Sequence, residues 1–237
     1  MDFNYSNFIN CLISSIDYIP TTIKIAFISI FIGTVLSLIV AIIIFYKVPV
    51  VSQVLVAFFT VYRAIPMMVL LLIFHLIYVM YFNDFAVKFN LNVTVNDVGY
   101  NPIAYLVMTL GTMTGVNECF RGALSSIPKI QFEAAQSIGL TTTQTLRDVT
   151  LPQMFPVAFP SYMSNVIGVL KGIPLLSSIG VIEIMQGSLL AANQSYCFLE
   201  AYTAIAIVYV VLIALFTIAV EALEKKIFVH QPSIESL

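Results

Sequence analysis

Between Ile25 and Tyr46 the chain carries no charged residue. An apolar run of that length has few places to go. As a helix rising about 1.5 Å per residue it matches the roughly 30 Å of hydrocarbon in a bilayer. Further apolar regions follow, at about Ser52–Phe82, Pro102–Phe120, Gln153–Leu190 and Phe198–Leu223. With 237 residues, 60% of them hydrophobic and 9% charged, the composition excludes a soluble globular domain. A bilayer leaves helices as the economical way to satisfy the backbone of such runs. The expectation is an all-α integral membrane protein, one transmembrane domain over residues 1–237 with five transmembrane helices.

Breaks between the runs are marked by polar and turn-forming residues. Lys47-Val48-Pro49 reads as a tight turn after the first span. Ser52–Phe82 is too long for one upright helix and contains Arg63 and Pro66, which predicts an entry segment before Arg63 and the main span after it. Asn83–Asn101 is polar, the third span ends at Arg121-Gly122, and Gly172-Ile173-Pro174 interrupts the fourth region. A short polar loop, Asn193–Ser195, precedes the last span, which closes on Glu224-Lys225-Lys226. The first residues are polar, with no Lys or Arg before Lys24, so a removable signal peptide is not expected.

Basic residues set the orientation. With the N-terminus outside and the C-terminus in the cytoplasm, the inner side collects Lys47, Arg121, Lys129, Arg147, Lys225 and Lys226, and the outer loops hold only Lys88, with Lys24 at the edge of the first span. The net charge of −2 indicates no nucleic-acid partner. Cys11, Cys119 and Cys197 are isolated, without a CxxC pair or a histidine at ligand spacing, so neither a disulfide framework, a metal site nor a cofactor is expected. No GxxxxGK[ST] stretch is present to cradle nucleotide phosphates, which argues against ATP chemistry in this chain.

The polar segment Ser126–Pro152 is the anomaly between apolar runs. Ile130, Ala134 and Ile138 recur at helical spacing, and Gly139 follows where a left-handed cap favours glycine. Thr141 or Thr142 can cap a second short helix through Val149, with Pro152 preventing simple continuation. The product is a helix–turn–helix elbow on the cytoplasmic side. It is either a linker returning the chain to the bilayer or a stiff docking surface for a soluble partner.

Specific residues favour the second. Glu133-Ala134-Ala135, then Gly139, then Leu151-Pro152, resembles the EAA loop of membrane subunits in bacterial ABC importers. The flanking Glu118–Gly122, Ile127–Lys129, Phe159-Pro160, Asn165 and Leu170-Lys171 are similar to the polar amino-acid uptake group of those permeases. The resemblance runs from the second span to Glu224. It implies a type I importer-like permease, not an enzyme, that translocates polar amino acids by alternating access across a bacterial cytoplasmic membrane. Glu133, Ala134, Ala135 and Gly139 would form the coupling helix, seated in a separate ATPase subunit where ATP is hydrolysed. Other implied partners are a second permease copy or homologue and an extracytoplasmic substrate-binding protein. The family's R-G-T-P reads Arg63-Ala64-Ile65-Pro66 here and its K-D-T-S-L reads Lys171–Leu175, a lysine-glycine start similar to the cystine-type branch. An ion-gradient-driven secondary transporter is the alternative, but its expected internal repeat with paired broken helices is not visible.

Ionisable residues at membrane depth are functional candidates. Arg63 and Glu118 either line the substrate pathway or snorkel near the inner surface. Lys171, beside the Gly172–Pro174 break, either faces the pathway, where a broken helix should meet protein or water, or snorkels at a helix end. Lys171 would suit an α-carboxylate, with Glu118 as a carboxylate for an α-amino group. Glu183 is a further ionisable residue at depth. His75 reads as a satisfied intramembrane histidine rather than a ligand.

Overall fold

The structure, a computed structural model, describes residues 3–193 and 195–228. Gln194 of the expected polar loop and the side chains of Lys225 and Lys226 lie outside the described residues. The elements are α1 (Tyr5–Asp17), α2 (Ile19–Phe45), α3 (Val51–Ala64), α4 (Met67–Lys88), α5 (Val95–Val98) and α6 (Asn101–Ser126). They continue with α7 (Lys129–Ser137), α8 (Thr142–Thr145), α9 (Leu151–Gly172), α10 (Ile184–Asn193) and α11 (Phe198–Phe228). A π-helical turn, Leu146–Thr150, joins α8 to α9, and a 3₁₀ segment, Ile173–Ile179, follows α9. No strand occurs among the described residues.

Four stretches are long and apolar enough to cross a bilayer: Tyr5–Phe45, Met67–Lys88, Thr142–Ile179 and Phe198–Ala222. The remaining expected span lies in α6, which is long enough but more polar. Its Thr109, Thr112, Thr114 and Asn117 are all buried, so they lower its hydropathy without meeting lipid. The helix also runs past Arg121-Gly122 to Ser126, further than expected.

The core is the pairing of α2 with α6, the most extensive in the molecule. The buried face of α2 includes a row of small residues, Thr22, Ala26, Ser29, Gly33, Ser37 and Ala41, spaced by three or four, with Ile25, Val40 and Ile44 buried beside it, while Phe27, Phe31, Val35 and Ile39 point outward. Small residues at that period let two backbones approach closely in a medium that gives leucine no reason to prefer protein over lipid. A Cβ added at Gly33 would lie 2.7 Å from the Thr112 Cβ and 3.1 Å from the Thr109 carbonyl oxygen. Ser37 Oγ donates to the Gly33 carbonyl at 2.6 Å and to the Met113 carbonyl of α6 at 3.2 Å. α9 packs on the other side of α6. There Cys119 Sγ donates to the Ala158 carbonyl at 3.2 Å, and the Phe120 and Tyr162 rings stack at 6.0 Å.

The expected division of Ser52–Phe82 is present: α3 ends at Ala64, and Pro66 caps α4. α1 is an element that a polar opening did not announce. It packs against α10 and α11, and turns into α2 at Tyr18 with Pro20 in the first turn. Glu183, a candidate at membrane depth, serves this corner. Its carboxylate accepts from the Met185 and Gln186 amides at the start of α10 (2.9 and 3.0 Å) and from the Tyr209 hydroxyl at 2.9 Å. The Ile184 amide donates to Thr22 Oγ1 at 3.2 Å, tying α10 to α2. Glu183 is thus a buried helix cap.

A single methyl separates two glycines of this bundle. Gly33→Ala is expected to destabilise by about 1–3 kcal/mol through overpacking against Thr112. Gly122→Ala, whose Cβ meets nothing within 4 Å, should be neutral or stabilising by up to ~1 kcal/mol. Thermal unfolding of both variants in detergent checks the contrast.

Candidate functional site

The elbow begins where Pro128 caps α7. Two residues hold α7 to the bundle: Ala135 is buried, and the Phe132 ring lies 5.8 Å from that of Phe45 at the end of α2. The helix ends in a Schellman arrangement. Gly139 takes φ 87°, its amide donates to the Gln136 carbonyl at 2.9 Å, and the Leu140 amide donates to the Ala135 carbonyl at 3.1 Å. Thr141 then caps α8, closing a capping box with Gln144. The expected stop at Pro152 is not there. Leu146–Thr150 turns as a π-helix and runs directly into α9, where Pro152 occupies the first turn, a position whose missing N–H costs little. The second half of the elbow, α8 with the π turn, and α9 are one helical rod.

The Ile130–Ala134–Ile138 stripe faces outward. Ile130 is 65% and Ile138 78% exposed, and Ala134, Glu133 and Gly139 are exposed with them. Of the four candidate coupling residues only Ala135 packs inward.

Further along α9 two cavities open against α6, of about 650 Å³ and about 530 Å³. Both are lined by Ser161 and Asn165, so they form one groove. At one end it is walled by Met67, Met108, Thr112 and Gly172, at the other by Arg63, Thr114, Gly115 and Glu118. Asn165 is held by donating from Nδ2 to the Ser161 carbonyl at 2.9 Å, and its amide oxygen lies where a Cβ on residue 115 would be. Only glycine at 115 lets the amide stay there. Ser161, Asn165, Gly168 and Gly172 share the groove face of α9, a small and polar stripe at helical spacing inside an apolar helix. That periodicity was readable, but it was not singled out in the sequence.

Arg63 and Glu118, candidates from separate spans, do meet. Arg63 Nη2 lies 2.9 Å from Glu118 Oε1, and Arg121 Nη1 lies 2.7 Å from the same oxygen. Arg63 Nε also donates to the Phe59 carbonyl at 3.3 Å, which steadies the guanidinium at the end of α3. Two cations share one carboxylate, so this end of the groove is net positive. With side chains 34–43% exposed, the triad contributes charge and position more than stability. Lys171 does not join it. The residue is exposed on the last turn of α9 and is not among those lining either cavity, whereas its neighbour Gly172 is. Glu118, suggested as the carboxylate for a substrate's α-amino group, is engaged here by two arginines. The break beside Lys171 is present: α9 gives way at Gly172 to the 3₁₀ segment, which ends at Gly180 with φ 80°.

Residues 33–229 match the family described as binding-protein-dependent transport system inner membrane component. The chain belongs to this family. Among curated relatives, it is 31% identical to the "Probable amino-acid ABC transporter permease protein PatM" of Vibrio harveyi, over 97% of this chain and 100% of that protein. It is also 31% identical to the L-cystine transport system permease protein TcyL of Bacillus subtilis, over 92% of this chain and 88% of that one. A crystal structure of an amino acid ABC transporter with histidines shares the fold, with a TM-score of 0.78 and 21% identity, covering 96% of this chain and 100% of that chain. The inward-facing MetNI methionine ABC transporter aligns with a TM-score of 0.67 and 18% identity, over 89% and 94% of the two chains. In this inner-membrane transport component, α9 runs from the elbow to the groove.

Glu118→Gln in this transport component should change unfolding stability by less than ~1 kcal/mol, as for other solvent-open pairs. It should nonetheless lower uptake, by releasing Arg63 and Arg121 into the groove. Detergent melts and vesicle uptake, measured together, check the two halves.

Proposed function

We propose that this chain is the membrane-spanning subunit of an ATP-driven importer of polar amino acids, with five spans, the N-terminus outside and the elbow in the cytoplasm. The exposed Ile130–Ala134–Ile138 stripe on a helix anchored by Ala135 and Phe132 carries the proposal. An apolar stripe in a polar, non-membrane segment needs a partner, and the helix-in-groove mode reads such anchors at i, i+4 and i+8. That partner is the ATPase subunit, with Glu133 adding a directed charge at the contact.

Mechanically, the elbow converts movement of the ATPases into movement of the groove wall. As the two ATPases close, α7 is carried with them. Because α8, the π turn and α9 are continuous, the displacement reaches Ser161 and Asn165 rather than being absorbed in a loop. A second permease copy or homologue completes the pathway along the open side of the groove, and an extracytoplasmic binding protein delivers the substrate. Alternating access follows when hydrolysis resets the pair.

The groove's charge bears on the cargo. Its one lining carboxylate, Glu118, is neutralised by two arginines, and the wide end presents Met67, Met108, Thr112 and Asn165. A cationic side chain would meet net positive charge there, while an α-carboxylate would be drawn to Arg63. This supports neutral amino acids, with cystine among them as the relative TcyL is named for.

Gly139→Val tests the coupling. A β-branched residue at φ 87° is strained by about 1–2 kcal/mol although its Cβ has open space around it. Membrane insertion should therefore persist while uptake per ATP hydrolysed falls by roughly tenfold. Normal coupled uptake in vesicles would remove α7 from the mechanism. Lys171→Met tests the pathway's other end: reduced uptake with ATPase association intact places the lysine on the substrate's route, and unchanged kinetics assign it to snorkelling.

A further inference from the structure

The structure assigns a covalent staple at the corner where α1 meets α10 and α11: Cys11 and Cys197 are paired there for disulfide formation. In the sequence these cysteines are isolated. In the fold they share one small buried cluster with Ala192, Ala201 and Ala204, at 1% and 7% exposure. Both are free thiols in this structure and neighbours in that cluster, and Cys197 Sγ also lies 3.0 Å from Ser195 Oγ. The rest of that buried cluster is alanine, which adds little bulk between the two elements. Cys11 lies mid-helix in α1, and Cys197 is the loop residue directly before α11. A second contact fixes the same approach, as the Asn4 amide donates to Glu200 Oε1 at 2.8 Å.

The inference rests on the proposed orientation, which puts this corner on the outer side, where disulfides form and persist. The oxidant is the disulfide of an extracytoplasmic thiol–disulfide oxidoreductase. One thiolate attacks it to give a mixed disulfide, and the second displaces the enzyme's thiol. Two protons and two electrons leave the cysteine pair, and the enzyme's disulfide is reduced to a dithiol. Closure spans most of the chain, the case in which a cross-link most restricts the unfolded ensemble. It would hold α1 to the rest of the bundle while the groove helices move. Cys119, buried between α6 and α9 and donating to the Ala158 carbonyl, stands apart and stays a thiol.

Cells producing the full-length transporter are treated with N-ethylmaleimide in denaturant, and the chain is digested without reduction. The expected result is a linked Cys11–Cys197 peptide with maleimide on Cys119 alone, and all three cysteines alkylated only when reduction comes first. Maleimide on Cys11 and Cys197 without reduction overturns the staple. A separate reporter, Leu199→Cys with Cys11→Ser and Cys197→Ser, is exposed to a membrane-impermeant maleimide on intact cells. If the reporter is labelled but the native pair is free, the staple fails and the orientation stands. If it is unlabelled and the native pair is free, both fail.

Discussion

Inside a bilayer, burying leucine against leucine gains little over leaving it in lipid, so helices cohere through close contact and shared hydrogen bonds. This chain meets that constraint at the α2–α6 seam. The row from Thr22 to Ala41 carries no large side chain, and Gly33 touches Thr112 across the interface. The rest is arranged around the seam. α9 closes on α6 through Cys119 and the Phe120–Tyr162 stack, and α10 gathers at the Thr22 end through the Ile184 amide. The groove lies where α6 meets α9, with glycines at 111 and 115 in its lining.

The second organising fact is that α9 has no joint at its start. A π turn carries the chain from α8 into α9 and places Pro152 where a missing amide is harmless. Pro156 and Pro160 lie inside the helix and deprive the carbonyls four residues earlier of their usual donors, which provides bend without a break. The same rod then supplies Ser161 and Asn165 to the groove and ends in the 3₁₀ segment beside Lys171.

Much of this was legible along the chain. The turn at Lys47–Pro49, the division at Arg63–Pro66, the glycine cap at 139 and the break at Gly172 all stand where the residues indicate, because each depends on local conformational preference. What was misjudged depends on neighbours. Pro152 read as a terminator because its tolerance in a first turn fed by a π turn cannot be seen from its own identity. The third span reads as ending at Arg121-Gly122, yet α6 continues to Ser126, with Arg121 held by Glu118 one turn earlier. Asn165 lines the groove because α6 offers a glycine at 115 opposite it, which its own helix does not reveal.

By itself the sequence determined that the chain is helical and membrane-embedded, where its helices divide, and that one polar elbow stands out between apolar runs. These follow from helix length, hydropathy and the conformational limits of glycine and proline, all of which act over a few residues. Only the tertiary structure decided that Arg63 and Arg121 share Glu118, that Asn165 needs Gly115 opposite, and that Cys11 lies against Cys197. Each of these joins residues from different helices. Their meeting is set by how closely small side chains allow those helices to approach, a quantity no single segment contains.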